Sequence, residues 1–320
     1  MDEVMLGSIV ASTLRVSTPL ILCALAGTMS ERAGVIDLGL EGKMLATAFA
    51  AAATAAASGS LVIAFGAAIA VGLALSMLHG YACVSHRGDQ VVMGMAINMT
   101  AAGLTVVLGI AWFSQGGQTP ALTDAVRLGR WFGDAGDALR GLPLVGPVLG
   151  ALFGHTALVY VAFALVVGVW ALQYRTRLGL RLRAAGENPA MVDAAGVSVL
   201  RLRYLALAAN GVLTSLAGCY LVLALNPQFI PNMTAGRGYM ALAAMIFGKW
   251  HPVGALAACL LFGFLDAVSI QLQGATLGGV SVPVQAIQAL PYVLTVVLLA
   301  GFIGSAHAPK ALGLPYLKER

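Results

Sequence analysis

The sequence predicts an all-α, polytopic membrane protein of about nine transmembrane helices, some of them short or broken. Three observations lead there. Of 320 residues, 59% are hydrophobic and only 10% charged, with a mean hydropathy of +0.89. Soluble domains carry roughly 25% charged residues, so a chain this poor in charge could not cover a water-exposed surface, and a soluble enzyme is excluded. Apolar stretches of near-spanning length recur along the whole sequence. Glycine, at 39 residues, is also enriched, as expected where helices must approach closely in lipid.

Taken in order, the apolar stretches fall near 5–29, 43–58, 60–84, 91–113, 147–172, 203–225, 238–249, 252–273 and 284–304. The second and seventh are short and follow Gly-rich sequence. Basic residues mark cytoplasmic segments. With the N-terminus outside, thirteen of the eighteen Lys and Arg fall inside, among them Arg32, Lys43, Arg87 and the cluster from Arg175 to Arg203. Arg127, Arg130, Arg140 and Arg237 fall outside, and Arg15 lies within the first span. The expected topology is therefore N-terminus outside and C-terminus inside. Met1-Asp2-Glu3 lacks a basic n-region, so no cleavable signal peptide is expected. Trp112, Trp170 and Trp250 fall at span ends, where indoles prefer the interface. The four cysteines, Cys23, Cys83, Cys219 and Cys259, read as small buried hydrophobes.

One transmembrane domain over 1–320 is expected, with a first helical unit at 5–113 and a second at 203–304. Each unit begins with a long span and reaches a Gly-rich break (34–42; 236–238) followed by a short helix. The two start on opposite sides of the membrane, which predicts an inverted repeat. Irregular backbone at membrane depth survives only where it is buried in protein or lines a cavity. Glycines that simply permit tight packing are the plainer reading.

Between the units lie two polar stretches. Residues 114–146 read as an external loop, either a solvated connector or one with a helix on the membrane surface. Residues 173–203 carry six Arg against Glu187 and Asp193 and read as cytoplasmic. Within them Asn188 is a favoured N-cap, Pro189 suits the first helical position and Gly196 follows the end. A helix of roughly 189–195 results, bearing Met191, Val192 and Ala195. Its apolar side needs a partner, either another protein or the lipid surface.

Three separated stretches carry a resemblance. They are Glu31-Arg32-Ala33-Gly34-Val35-Ile36-Asp37-Leu38-Gly39-Leu40-Glu41-Gly42, then Arg183 through Pro189 continuing over Asp193 to Val197, and Gly236-Arg237-Gly238-Tyr239 onward to Gly248. In order and spacing the chain resembles the integral membrane permeases of ATP-binding-cassette importers, in the group with ribose, branched-chain amino acid and nucleoside permeases. The motif residues Glu31, Arg32, Gly34, Gly39, Glu41 and Gly42 make it most similar to the shorter nucleoside-type permease. Ile36-Asp37 departs from that type, many of whose members have a pair ending in Asn; ribose-type relatives have Ile-Asp. The resemblance implies that Gly186, Glu187, Asn188, Pro189, Ala195 and Gly196 belong to a coupling helix docked on a cytoplasmic ATPase. It further implies a second, different permease subunit, an external substrate-binding protein, and a bacterial inner-membrane location. ATP and Mg would be held by the ATPase, with no cofactor in this chain.

The residues agree with that division of labour. Gly42-Lys43 is followed by Met44 and Gly248-Lys249 by Trp250, so neither completes a phosphate loop. No H-E-x-x-H or G-x-S-x-G occurs, and the five His are not at metal-ligand spacing. No catalytic or metal-binding residues, and no nucleic-acid partner, are expected. Candidate pathway residues are Asn98, Asn210, Asp266, Tyr239 and Phe247. Lone intramembrane Asn residues more often bond a neighbouring helix. Asp266 is the most expensive placement, unless it pairs with Arg15. Asp37 and Glu41 read as local ion pairs with Arg32 and Lys43, and Tyr239 and Phe247 either stack on a base or pack in the core. So little fixed charge suits a small, neutral, polar solute, which nucleosides and simple sugars both are; the resemblance places a nucleoside before a simple sugar. The rival of another class is an ion-gradient-driven secondary transporter.

Overall fold

A computed structural model describes residues 3–140, 146–272, 276–277, 280–281, 289, 293 and 307–317. The expected ninth span, 284–304, lies outside the described residues. Twelve α-helices are seen: α1 Glu3–Arg32, α2 Leu40–Ser58, α3 Leu61–Gly80, α4 Gln90–Phe113, α5 Gly133–Arg140, α6 Gly146–Phe153, α7 Ala157–Arg175, α8 Arg177–Glu187, α9 Pro189–Ala194, α10 Val199–Tyr220, α11 Arg237–Phe247 and α12 Pro252–Gln271. π-Helical turns extend α3 to Ser85 and α10 to Leu225. Among the described residues only two-residue strands occur, Thr276–Leu277 paired with Val280–Ser281.

Among the described residues, six helices are long and apolar enough to cross a membrane: Met5–Arg32, Leu61–Ser85, Gln90–Phe113, Ala157–Arg175, Val199–Leu225 and Pro252–Gln271. Both expected short helices form, but α2 and α11 are not in that set. The expected span 147–172 is two helices, because Gly154-His155-Thr156 breaks it and Thr156 starts α7 as its N-cap. The arginine-rich stretch 173–203 holds α8 as well as the expected α9. A signal for α8 was present: Thr176 accepts from the Gly179 N–H, and Leu178, Leu182 and Ala185 recur at helical spacing.

Helix packing follows a repeated pattern. Exchanging α1, α2 and α3 for α10, α11 and α12 leaves the principal contacts unchanged. α1 packs on α12 as α10 packs on α3, α1 meets α11 as α10 meets α2, and α2–α3 is matched by α11–α12. One small device recurs at both long crossings. Ser215 of α10 donates to the Ala68 carbonyl of α3, while Ser17 of α1 donates to the Cys259 carbonyl of α12. One turn beyond each carbonyl stands a glycine, and a Cβ there would fall 2.0 Å from Ser215 Oγ at Gly72 and 1.9 Å from Ser17 Oγ at Gly263. Small residues plus an interhelical hydroxyl bond hold both pairs close, as lipid-embedded packing requires.

Helices α1, α10, α11 and α12 share the main apolar core, with α7 and α8 against it. A second core joins α2 and α3 to the 122–128 segment and the end of α10. All four cysteines are buried and unbonded. Trp112 is exposed, but Trp250 is buried in the protein and not at an interface.

Gly72→Val should destabilise by about 1–3 kcal/mol through overpacking, read as a lower thermal midpoint in detergent. Gly103→Ala, where an added Cβ meets nothing within 4 Å, should be neutral or slightly stabilising.

Candidate functional site

α1 stops at Arg32 because Gly34 turns the chain at φ +87°, and residues 33–39 then run irregularly inside the helix bundle. Backbone polar groups there need partners that water cannot supply. Side chains from other helices provide them. The Ile36 N–H donates to Gln90 Oε1 (2.7 Å), and the Ile36 carbonyl lies 3.0 Å from His79 Nε2. Asn98 donates to the Leu38 carbonyl (2.9 Å) and accepts from the Gly42 N–H (2.7 Å). Asp37 accepts from the Gly39 N–H at 3.0 Å.

Asp37 anchors a fully buried ionic cluster. Lys43 Nζ donates to Asp37 Oδ2 at 2.5 Å and to Asn210 Oδ1 at 3.3 Å. Asn210 donates in turn to the Ala26 carbonyl and Ser30 Oγ. His79 Nδ1 stands 3.7 Å from the other Asp37 oxygen, and none of Asp37, Lys43, His79 or Asn210 is exposed. The expected Asp37–Lys43 pair therefore exists, but in the protein interior and not at a membrane face. Lys43 cannot count toward orientation by the charge rule.

Glu41 has a different partner from the one expected. Its two oxygens accept the N–H groups of Gly236 (2.8 Å) and Gly238 (2.6 Å), at the start of α11. A carboxylate there satisfies orphan donors and complements the helix dipole. Gly238 is needed for the approach, since a Cβ would lie 2.6 Å from Glu41 Cα. The N-termini of the two short helices thus abut. Tyr239, on the first turn of α11, accepts from Asn98 Nδ2 at 2.8 Å and is 41% exposed.

The five pathway candidates therefore separate. Asn98 and Tyr239 meet at this junction. Asn210 belongs to the ionic cluster. Phe247 packs edge-on against Phe262 in the core. Asp266 is half-buried on α12 with no ion pair among the described residues; the charge acting on it is Arg237, not Arg15.

Glu31 and Arg32 clamp the turn between α11 and α12. Trp250 Nε1 donates to Glu31 Oε2 at 2.6 Å, and Arg32 donates to the Trp250 and Lys249 carbonyls. Lys249 and Trp250 both have left-handed backbone (φ 55° and 53°), which turns those carbonyls toward the guanidinium. On the other side of Arg32 comes the 186–196 segment. Gly186 lies so close that a Cβ would sit 2.3 Å from the Arg32 carbonyl. Asn188 caps α9 by accepting from the Met191 N–H, Gly196 ends it at φ +78°, and Ala195 is the C-cap. Val192 is buried, whereas Met191 is 69% exposed.

Residues 307–317 close this seam. The Ala311 N–H donates to the Gly186 carbonyl (2.8 Å), the Gly313 N–H to Gly34 (3.3 Å) and the Lys310 N–H to Glu187 Oε2 (3.4 Å). Arg203 is 1% exposed and donates to the Leu314 carbonyl, so this member of the basic cluster is buried and structural. His79, Gln90, Trp250 and Arg203 were missed from sequence. Each is polar or ionisable within or beside an apolar span, which is itself a signal, but their partners are far away in sequence.

The family described as "Branched-chain amino acid transport system / permease component" matches residues 9–303. The guanosine ABC transporter permease NupQ of Bacillus subtilis is 36% identical, over 98% of each chain. The nucleoside ABC transporter permease NupC of Lactococcus lactis is 37% identical, over 98% of this chain and 97% of its own. TsgC13 of Haloferax volcanii, a candidate glucose ABC transporter permease, is 36% identical over 90% of this chain and 89% of its own. Among solved structures, an ABC transporter of metal-chelate type in an inward-facing conformation has the same fold. Its TM-score is 0.52 at 16% identity, covering 91% of this chain and 84% of that one.

Removing one partner of the buried pair leaves an uncompensated charge. Lys43→Met should cost about 3–5 kcal/mol, and Asp37→Leu combined with it should recover most of that. Thermal unfolding of the single and double variants checks the cycle.

Proposed function

The chain belongs to the branched-chain amino acid transport system / permease component family, and from that premise we propose that it forms the translocation path of an ATP-driven nucleoside importer. It is a transport subunit and not an enzyme. The coupling segment is the observation that carries the reading. A capped helix, α9, offers an exposed Met191 while Gly186 and the 307–317 segment bind its base to the α1 break. Force applied at α9 by a nucleotide-driven ATPase would reach Gly34 and Arg32 directly. Gly186, Glu187, Asn188, Pro189, Ala195 and Gly196 form that coupling unit, and ATP and Mg sit on the ATPase.

Substrate passage is assigned to the junction of α2 and α11, where Asn98 holds Tyr239 and the half-exposed Tyr239 presents a neutral hydroxyl and a ring. The matched contacts of the two helical units, and the recurring serine–glycine device, support an inverted repeat. Discontinuous helices that meet at such a repeat interface are where transporters hold solute. The full path has about nine crossings, with 284–304 as the last, in a bacterial inner membrane. The arginines around α8 and α9 favour the cytoplasmic side for that face, hence an external N-terminus. A second permease of the same group and an external binding protein complete the assembly.

NupQ and NupC, similar over nearly their whole lengths, favour nucleosides; TsgC13 keeps a simple sugar as the second reading. Uptake by proteoliposomes holding the assembled transporter and its binding protein separates them. ATP-dependent accumulation of guanosine that excess glucose does not inhibit is expected. Uptake that proceeds without ATP and collapses with an uncoupler would point instead to an ion-driven carrier. Met191→Glu should leave the chain folded but reduce uptake at least tenfold through loss of ATPase docking, read by co-purification. Substitution at Gly186 is a poorer probe, since any side chain there collides with Arg32.

A further inference from the structure

A polar cavity lies among α1, the 124–130 segment, the start of α7 and the end of α10. Its volume is about 470 Å³, it is open on one side, and Arg15, Asp124, Arg127, Arg130, His155 and Thr156 line it. We propose that this cavity is a binding site for a phosphate-bearing anion.

Charge comes first. Three arginines line one space against a single lining carboxylate, Asp124, which pairs with Arg127. Asp124 is fully solvent-exposed and 3.8 Å from Arg127, and Asp137 reaches Arg130 at 3.4 Å on an exposed surface. Arg15 bonds Ser12 and has no carboxylate within 4 Å among the described residues. An arginine inside a span is costly to leave without a counter-charge.

Unused donors and acceptors come second. His155 is 4% exposed, and among the described residues its Nε2 has no hydrogen-bond partner, nor do the buried Arg127 Nε and Thr156 Oγ1. A buried polar atom left bare is expensive, so the cavity is built for an occupant. Thr156 is the N-cap of the 19-residue α7 yet makes no capping bond, which leaves the positive end of a long helix facing the same space. An antiparallel bridge between Arg130 and Thr156, and the Trp131 N–H to His155 carbonyl bond at 3.0 Å, fix the loop against that helix end.

The kind of anion follows from the donor set. Three guanidinium forks, a hydroxyl and a helix terminus offer more donors than the two oxygens of a carboxylate accept, whereas a phosphate suits paired guanidinium forks. Burial and the neighbouring Arg15 hold the His155 imidazole below the ordinary histidine range, and its other nitrogen faces the Ala151 carbonyl. Neutral His155 therefore presents a lone pair at Nε2. Hydrogen phosphate meets it with its P–OH, and a phosphatidylglycerol headgroup with a glycerol hydroxyl.

The test uses the purified, assembled transporter. Native mass spectrometry reads retention of phosphatidylglycerol against phosphatidylcholine, and thermal unfolding reads the response to inorganic phosphate at constant ionic strength. Selective retention of phosphatidylglycerol identifies a headgroup site; a raised midpoint with phosphate identifies a free-anion site. Either effect should fall at least fivefold in Arg15→Gln and in Arg127→Gln, and be unchanged in Arg181→Gln, an exposed arginine elsewhere. Should the first two fail to fold, Arg130→Gln, whose side chain is half-exposed, carries the test. Absence of both effects in the wild-type protein, or equal loss in Arg181→Gln, overturns the site.

Discussion

Unwound backbone inside a lipid-embedded bundle must find all its hydrogen bonds within the protein, and much of this structure answers that demand at residues 33–39. Gln90 and Asn98 come from α4, His79 from α3 and Asn210 from α10, and each helix is held in place by what it supplies. The break therefore ties α1 and α2 to α3, α4 and α10. Its rigidity rests on the Asp37–Lys43 pair, which is fully desolvated and extends through Asn210 to α1 itself.

The second break follows the same logic with a different solution. Residues 226–236 end in left-handed Ala235 and Gly236, and α11 then starts against Glu41. One carboxylate caps a helix nearly two hundred residues away, so the start of α11 depends on α2. That dependence accounts for the motif residues better than local ion pairing does. Glu41 serves α11, Gly238 allows that approach, Gly42 makes room for Asn98 of α4, and Gly34 and Gly186 let two backbones touch.

Much of this was legible in the sequence. Composition and the spacing of apolar runs predicted the all-α membrane class, and Gly-rich breaks located both short helices within a few residues. Asn188, Pro189 and Gly196 announced α9 because capping is local chemistry. The partners were not legible. Asp37 and Lys43 are close in sequence and were paired, yet nothing local says that the pair is buried. Glu41 to Gly238, Trp250 to Glu31 and Arg203 to Leu314 span tens to hundreds of residues, and one chain carries no record of such distances. The split of 147–172 was missed for another reason: Gly154-His155-Thr156 is too short to lower a hydropathy average.

The clasp formed by residues 307–317 has a consequence for biogenesis. Those residues are synthesised after everything they hold. Until they arrive, the Gly186 carbonyl and the Gly34 carbonyl lack their backbone partners and Arg203 lacks the Leu314 carbonyl. The face assigned to the ATPase is thus finished last, after the spans it serves have been laid down. A chain lacking these residues would leave the 186–196 segment without its backbone tie to the C-terminal stretch.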